Sequence, residues 1–176
     1  MTGTTAYTVL VLLVGLERLA ELVVSKRNLR WSRDHGGVEF GQSHYPAMVT
    51  LHIGLLVGCL VEVHLADRPM IPALAFPMLL LVLAAQGLRW WCIASLGRRW
   101  NTKVVIVPGL PRVTRGPYRW FTHPNYVAVV VEGFALPLVG SAWVTALVFS
   151  ALNAVLLTVR IRTEDAALSL LPAAST

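Results

Sequence analysis

Apolar stretches alternate along the chain with short polar, mostly basic ones, and the alternation predicts five membrane-crossing helices. The first runs from about Thr5 to Val24 and the second from about Tyr45 to Leu65. A third spans about Met70 to Leu96, with Pro72 and Pro77 early in it. A fourth, shorter helix follows His123 to about Leu136, and a fifth covers about Ala142 to Val159. Between these two, Pro137-Leu138-Val139-Gly140-Ser141 reads as a tight turn, so they form a hairpin. The expected fold class is an all-α integral membrane protein organised as one domain over 1–176. It has three helices over 1–96, a long loop over 97–123, and the hairpin with a C-terminal segment over 124–176.

Composition agrees with that pattern. The 176 residues are 56% hydrophobic and only 14% charged, more apolar than a soluble core of this size requires. The net charge of +6 raises nucleic acid as a partner, but the basic residues do not gather on a soluble face. They sit between the apolar runs: Lys26, Arg27, Arg30 and Arg33 in one loop, Arg98, Arg99, Lys103, Arg112, Arg115 and Arg119 in another, then Arg160 and Arg162. The opposite side holds only Arg68 beside Asp67. By the positive-inside rule the N-terminus lies outside and the C-terminus in the cytoplasm, as a multi-pass protein of the cytoplasmic membrane. No nucleic-acid partner is expected. The first apolar run lacks a basic leader and a small-residue cleavage site and carries Glu17, Arg18 and Glu21, so it reads as a retained helix. Cys59 and Cys92 fall in apolar runs as packing residues, and no metal-ligand spacing occurs.

Chemistry is expected on the basic side. The loop from Gly97 to Thr122 is too long to be only a connector, and its middle, KVVIVPGLPRV, reads as an extended segment and turn. It ends in RGPYRWFTHPNY, residues 115–126. Pro124 suits the first turn of a helix capped by Thr122 or His123, leaving the N–H groups of Asn125 and Tyr126 free for an anion. The same stretch also fits an interfacial belt of aromatic and basic residues. At RIRTED, residues 160–165, Arg160 and Glu164 share a helical face, as do Arg162 and Asp165. That arrangement fits either an interfacial ion pair or the charged floor of a cavity, with Arg160 binding an acidic group and Glu164 accepting a proton. Among the deeper charges, Glu132 either lines the same cavity or pairs with an arginine. His52 reads as a packing residue and His64 as an interfacial one. No GxGxxG, P-loop, HExxH or GxSxG occurs, which excludes a soluble nucleotide-binding fold.

The pattern R-G-P-Y-R-x-x-x-H-P-N-Y at 115–126, an apolar hairpin, and R-I-x-x-E-D at 160–165 together resemble the isoprenylcysteine carboxyl methyltransferase family. ERLAELVVSKRN at 17–28, EFGQSHYP at 39–46 and RWWCIASLGRRWNTKVVIVPG at 89–109 resemble its small bacterial branch. That branch includes O-methyltransferases of alkylpyrones and alkylresorcinols made by type III polyketide synthases. The resemblance implies a membrane enzyme using S-adenosylmethionine, a lipophilic substrate arriving from the bilayer among membrane lipid, and a functional link to such a synthase. Carried over residue by residue, it places the cofactor on Thr102, Leu110, Val113, Gly116, Tyr118, His123, Pro124, Asn125 and Tyr126, and Arg160 and Glu164 at the acceptor. The Glu- and Tyr-containing extension of the eukaryotic carboxyl methyltransferases has no counterpart here, which points away from a prenylcysteine substrate. Alternatives are a carboxyl methyltransferase of an isoprenylated or other lipidic carboxylate, an NADPH-dependent reductase of the sterol type, which shares the HPNY form, and a non-catalytic membrane scaffold.

Overall fold

The computed structural model describes residues 3–171, and 77% of these are helical. Five helices form: α1 Gly3–Asp34, α2 Tyr45–Leu65, α3 Pro72–Leu96, α4 Pro124–Val139 and α5 Trp143–Leu168. Two short strands, β1 Val38–Phe40 and β2 Val104–Ile106, pair antiparallel with Val38 opposite Ile106. α2, α3 and α5 are long and apolar enough to cross a membrane; α4 is a shorter apolar helix, and α1 carries charges through its middle. Large apolar side chains such as Leu12, Leu16, Phe76 and Leu147 point outward, as expected where the surrounding medium is lipid. The protein is a membrane protein.

Several elements run further than hydropathy suggests. α1 continues ten residues past Val24 because one stripe of it stays buried: Glu21, Ser25, Asn28 and Ser32, at helical spacing. That stripe is polar and holds the 97–102 loop. Asn28 Nδ2 donates to the carbonyls of Gly97 (3.1 Å) and Trp100 (2.8 Å), and Ser25 Oγ accepts the amide of Thr102 (3.0 Å). α4 likewise carries Pro137 in its last turn and ends at Val139, so the tight turn is Gly140–Ala142. Gly140 is forced by space, since a Cβ there would enter the Tyr7 ring. α5 begins on Glu62 of α2, whose carboxylate accepts the amides of Val144 (3.1 Å) and Thr145 (2.7 Å), orphan donors of a helix start. His64 bonds Thr8 of α1 at 3.0 Å.

Two cores result. One lies at the hairpin end, around Tyr7, Val11, Leu55, Cys59, Leu136 and Phe149. The other lies at the loop end, where Val104, Ile106, Phe40, Ala167 and Leu168 fasten α5 to the strand pair. That second core holds β2, in the middle of residues 97–123, against the end of α5. Cys59 and Cys92 are free thiols and fully buried.

Candidate active site

The loop end surrounds a cavity of about 140 Å³, bounded by residues 96–113, the start of α4 and the end of α5. A second cavity, of about 260 Å³, lies between α1, α2, α4 and α5 and is apolar over most of its wall. Leu19 and Ile53 line it yet are 59% and 57% exposed, so it opens sideways between α1 and α2. Four residues border both cavities: Trp100, Asn125, Tyr126 and Arg160.

This shared wall is tightly held. Arg160 is buried; its Nε–H donates to the Tyr126 hydroxyl (2.9 Å) and its Nη2 to the carbonyl of Thr102 (2.5 Å). The Tyr126 hydroxyl in turn donates to Glu164 Oε2. His123 stacks on Tyr126, with ring centroids 5.4 Å apart and planes 22° from parallel. It donates from Nε2 to Asp165 Oδ1 (2.9 Å) and sets Nδ1 3.5 Å from Glu164 Oε1. Contact with Glu164, and secondarily with Asp165, raises the pKa of His123 against the opposing effect of burial. Asp165 therefore pairs with His123, not with Arg162.

The expected site residues fall into three groups. Leu110, Val113, Tyr118, His123, Asn125, Tyr126, Arg160 and Glu164 all line the first cavity. Thr102 lines the second and ties three helices together: its Oγ1 meets Ser25 (2.9 Å) and Tyr45 (3.2 Å), and its carbonyl meets Arg160. Gly116 and Pro124 line neither; they shape the backbone. Gly116 has φ 62°, and a Cβ there would collide with Ser95. Pro124 opens α4 with His123 at its N-cap. One expectation is corrected: the Tyr126 amide is not free, because it donates to the His123 carbonyl (3.1 Å) in a tightened first turn.

Residues without a sequence signal also take part. Trp100 is nearly inaccessible, and Asn101 beside it has neither amide atom hydrogen-bonded among the described residues. Asn125 Oδ1 is likewise buried without a hydrogen bond. All belong to residues lining the first cavity. Buried polar atoms left unpaired cost roughly 1–3 kcal/mol each, so this wall suits a polar ligand rich in donors and acceptors. Arg99, Lys103 and Arg112 also line it and suit a carboxylate.

Deeper charges prove to be a network. Arg18 donates to Glu21 (2.7 Å), Gln86 (2.8 Å) and Glu132 (2.9 Å), and Arg89 donates to the same Glu132 oxygen (2.7 Å). Glu132 thus pairs with two arginines and also lines the second cavity.

The loop-end cavity, with several charged and polar side chains in its wall, and the laterally open apolar cavity thus meet at one wall. Residues 78–170 match the isoprenylcysteine carboxyl methyltransferase (ICMT) family, and the chain belongs to that family. It is 41% identical over 159 residues to the uncharacterized protein YpbQ of Bacillus subtilis (strain 168), covering 90% of this chain and 94% of that one. It is 24% identical over 153 residues to an uncharacterized protein of Haemophilus influenzae (strain ATCC 51907 / DSM 11121 / KW20 / Rd), covering 86% and 88%. No solved structure matches. The family's enzymes use S-adenosylmethionine, and membership makes this protein a membrane methyltransferase.

Proposed function

We propose that the protein is an S-adenosylmethionine-dependent O-methyltransferase whose first cavity holds the cofactor and whose second holds a lipophilic acceptor. The observation that carries this is the shared wall of Trp100, Asn125, Tyr126 and Arg160 between a cavity that carries several charged and polar side chains and a more apolar one. Asn101 and Asn125, with unpaired buried polar atoms, and His123 beside them would bind the cofactor's polar groups, and Arg99, Lys103 or Arg112 its carboxylate. Leu110, Val113 and Tyr118 would cover its adenine. The bound cofactor supplies an electrophilic methyl group on a sulfonium.

The chain's own residues do the rest. Five helices cross the cytoplasmic membrane, with the N-terminus outside and the loop end in the cytoplasm, so the cofactor arrives from water and the acceptor from the bilayer. Arg160 holds the acceptor oxygen and stabilises its negative charge. A hydroxyl acceptor with a phenol-like pKa near 10 also needs its proton removed. Tyr126 can take it on its oxygen while passing its own proton to Glu164, which leaves the carboxylate protonated and the phenol restored. The walls exclude water and align the two reactants, so most of the rate enhancement is positional.

The leading acceptor is the hydroxyl of an alkylpyrone or alkylresorcinol, the kind of molecule a type III polyketide synthase supplies. The second reading is a lipidic carboxylate, favoured by Arg160, which binds that group without a base. Methyl transfer from labelled cofactor to lipidic phenols, pyrones and carboxylates, with protein in nanodiscs, decides between them. Product from at least one class is expected; none from any class, with protein that binds S-adenosylhomocysteine, would contradict the reading.

A further inference from the structure

Polar groups in the second cavity stand at two levels. The upper level is the shared wall, with Tyr126 and Arg160, and Tyr45 nearby on α2. The lower level lies about two helical turns deeper on each of three helices. Glu132 follows Tyr126 along α4, Asn153 precedes Arg160 along α5, and His52 follows Tyr45 along α2. A separation of six or seven residues at 1.5 Å per residue is roughly 9–10 Å.

The ion network accounts for part of the lower level but not all of it. Glu132 binds both arginines through Oε2, and among the described residues its Oε1 accepts nothing. His52 donates from Nδ1 to the Met48 carbonyl (2.8 Å), which leaves Nε2 as a free acceptor. Asn153 is only 5% exposed, on a helix that contributes nothing to the network, and its amide has no hydrogen-bond partner among the described residues. A hydrocarbon tail would leave that amide desolvated and unpaired, and leucine would serve such a tail better.

We propose that the cavity selects an amphiphile with two polar ends. One is the methyl-accepting oxygen at Arg160 and Tyr126. The other is a hydroxyl about two helical turns deeper, paired with Asn153. A hydroxyl fits because His52 Nε2 and Glu132 Oε1 offer only acceptors, whereas Asn153 both donates and accepts. This rests on the second cavity being the acceptor's, and it narrows the substrate class to lipids whose tail is oxygenated at that distance.

The test compares the α,ω-diol of octane with the primary alcohol of nonane, which have equal numbers of heavy atoms, titrated against the protein in nanodiscs. The wild type is expected to bind the diol at least tenfold tighter. Asn153→Leu should bring the ratio to about one, and His52→Phe should reduce it. Equal affinities in the wild type, or a preference that survives in both variants, would overturn the proposal. If Asn153→Leu does not fold, the wild-type ratio and His52→Phe still decide. S-adenosylhomocysteine binding in the same samples separates the two claims. Failure there with the diol preference intact removes the methyltransferase assignment of the site but leaves the two-ended pocket. Binding there with no preference removes this proposal alone.

Discussion

Arg160 and Glu164, one turn apart on α5, meet through the hydroxyl of Tyr126 and not as an ion pair. In the proposed reaction the phenol therefore stands where a proton leaving the acceptor would pass. Tyr126→Phe should lower kcat on phenolic acceptors by roughly 10²–10⁴, the usual contribution of general acid–base catalysis, and change kcat on carboxylates little. Parallel kinetics on one acceptor of each kind check this. Equal losses on both would assign Tyr126 to packing.

The network around Glu132 predicts a large asymmetry in stability. Glu132→Ala leaves Arg18 and Arg89, two largely buried positive charges, with only Glu21 as a shared carboxylate, a loss of roughly 3–5 kcal/mol. Arg33→Ala removes an arginine whose side chain is 59% exposed, and should cost under about 1 kcal/mol. Thermal unfolding in detergent compares them. Similar midpoints for the two variants would mean the network does not hold α1, α3 and α4 together.

Two glycines in the loop separate strain from collision. Gly109 and Gly116 both have positive φ, 81° and 62°, so alanine at either costs roughly 1–2 kcal/mol. At Gly109 an added Cβ meets open space, whereas at Gly116 it runs into Ser95. Gly116→Ala should therefore unfold at a lower temperature than Gly109→Ala and bind cofactor more weakly. The opposite order in unfolding midpoints would contradict the placement of 115–119 against α3.

Stability should depend on pH in opposite senses at two points. The His123 pKa is raised by Glu164 and Asp165, so its contribution is complete below the unfolded value, about 6.5, and is lost as pH rises through the higher folded value. The Glu39 pKa is lowered by its hydrogen bond from Lys103 and by Arg33. Its contribution is present above about 4.3 and lost as pH falls through the lower folded value. Unfolding midpoints across pH should show a loss on the alkaline side of 6.5 that disappears in His123→Gln. An unchanged profile in that variant would place the titrating group elsewhere.

The extent to which the chain could be read in advance follows from which forces act locally. α2 was legible to the residue, because an apolar run and Pro46 mark it directly. The second half of α1 was not: Lys26, Arg27, Arg30 and Arg33 look like a loop, while the stripe that keeps it helical is polar and buried against residues distant in sequence. The β1–β2 pair was half legible, as KVVIV reads as extended but its partner depends on tertiary contact. In the site, motif spacing pointed to Tyr126, Arg160 and Glu164, and the fold brings them together. Asn101, Asn153 and His52 carry no local pattern, so only the cavity walls reveal them.

Cofactor binding in the loop-end cavity underlies the whole proposed reaction. The most direct test is calorimetric titration of S-adenosylhomocysteine into purified wild type and His123→Ala. Micromolar binding by the wild type and at least tenfold weaker binding by the variant, a loss of about 1.4 kcal/mol, are expected. No binding by a folded wild type, or equal binding by both, would contradict cofactor binding in that cavity.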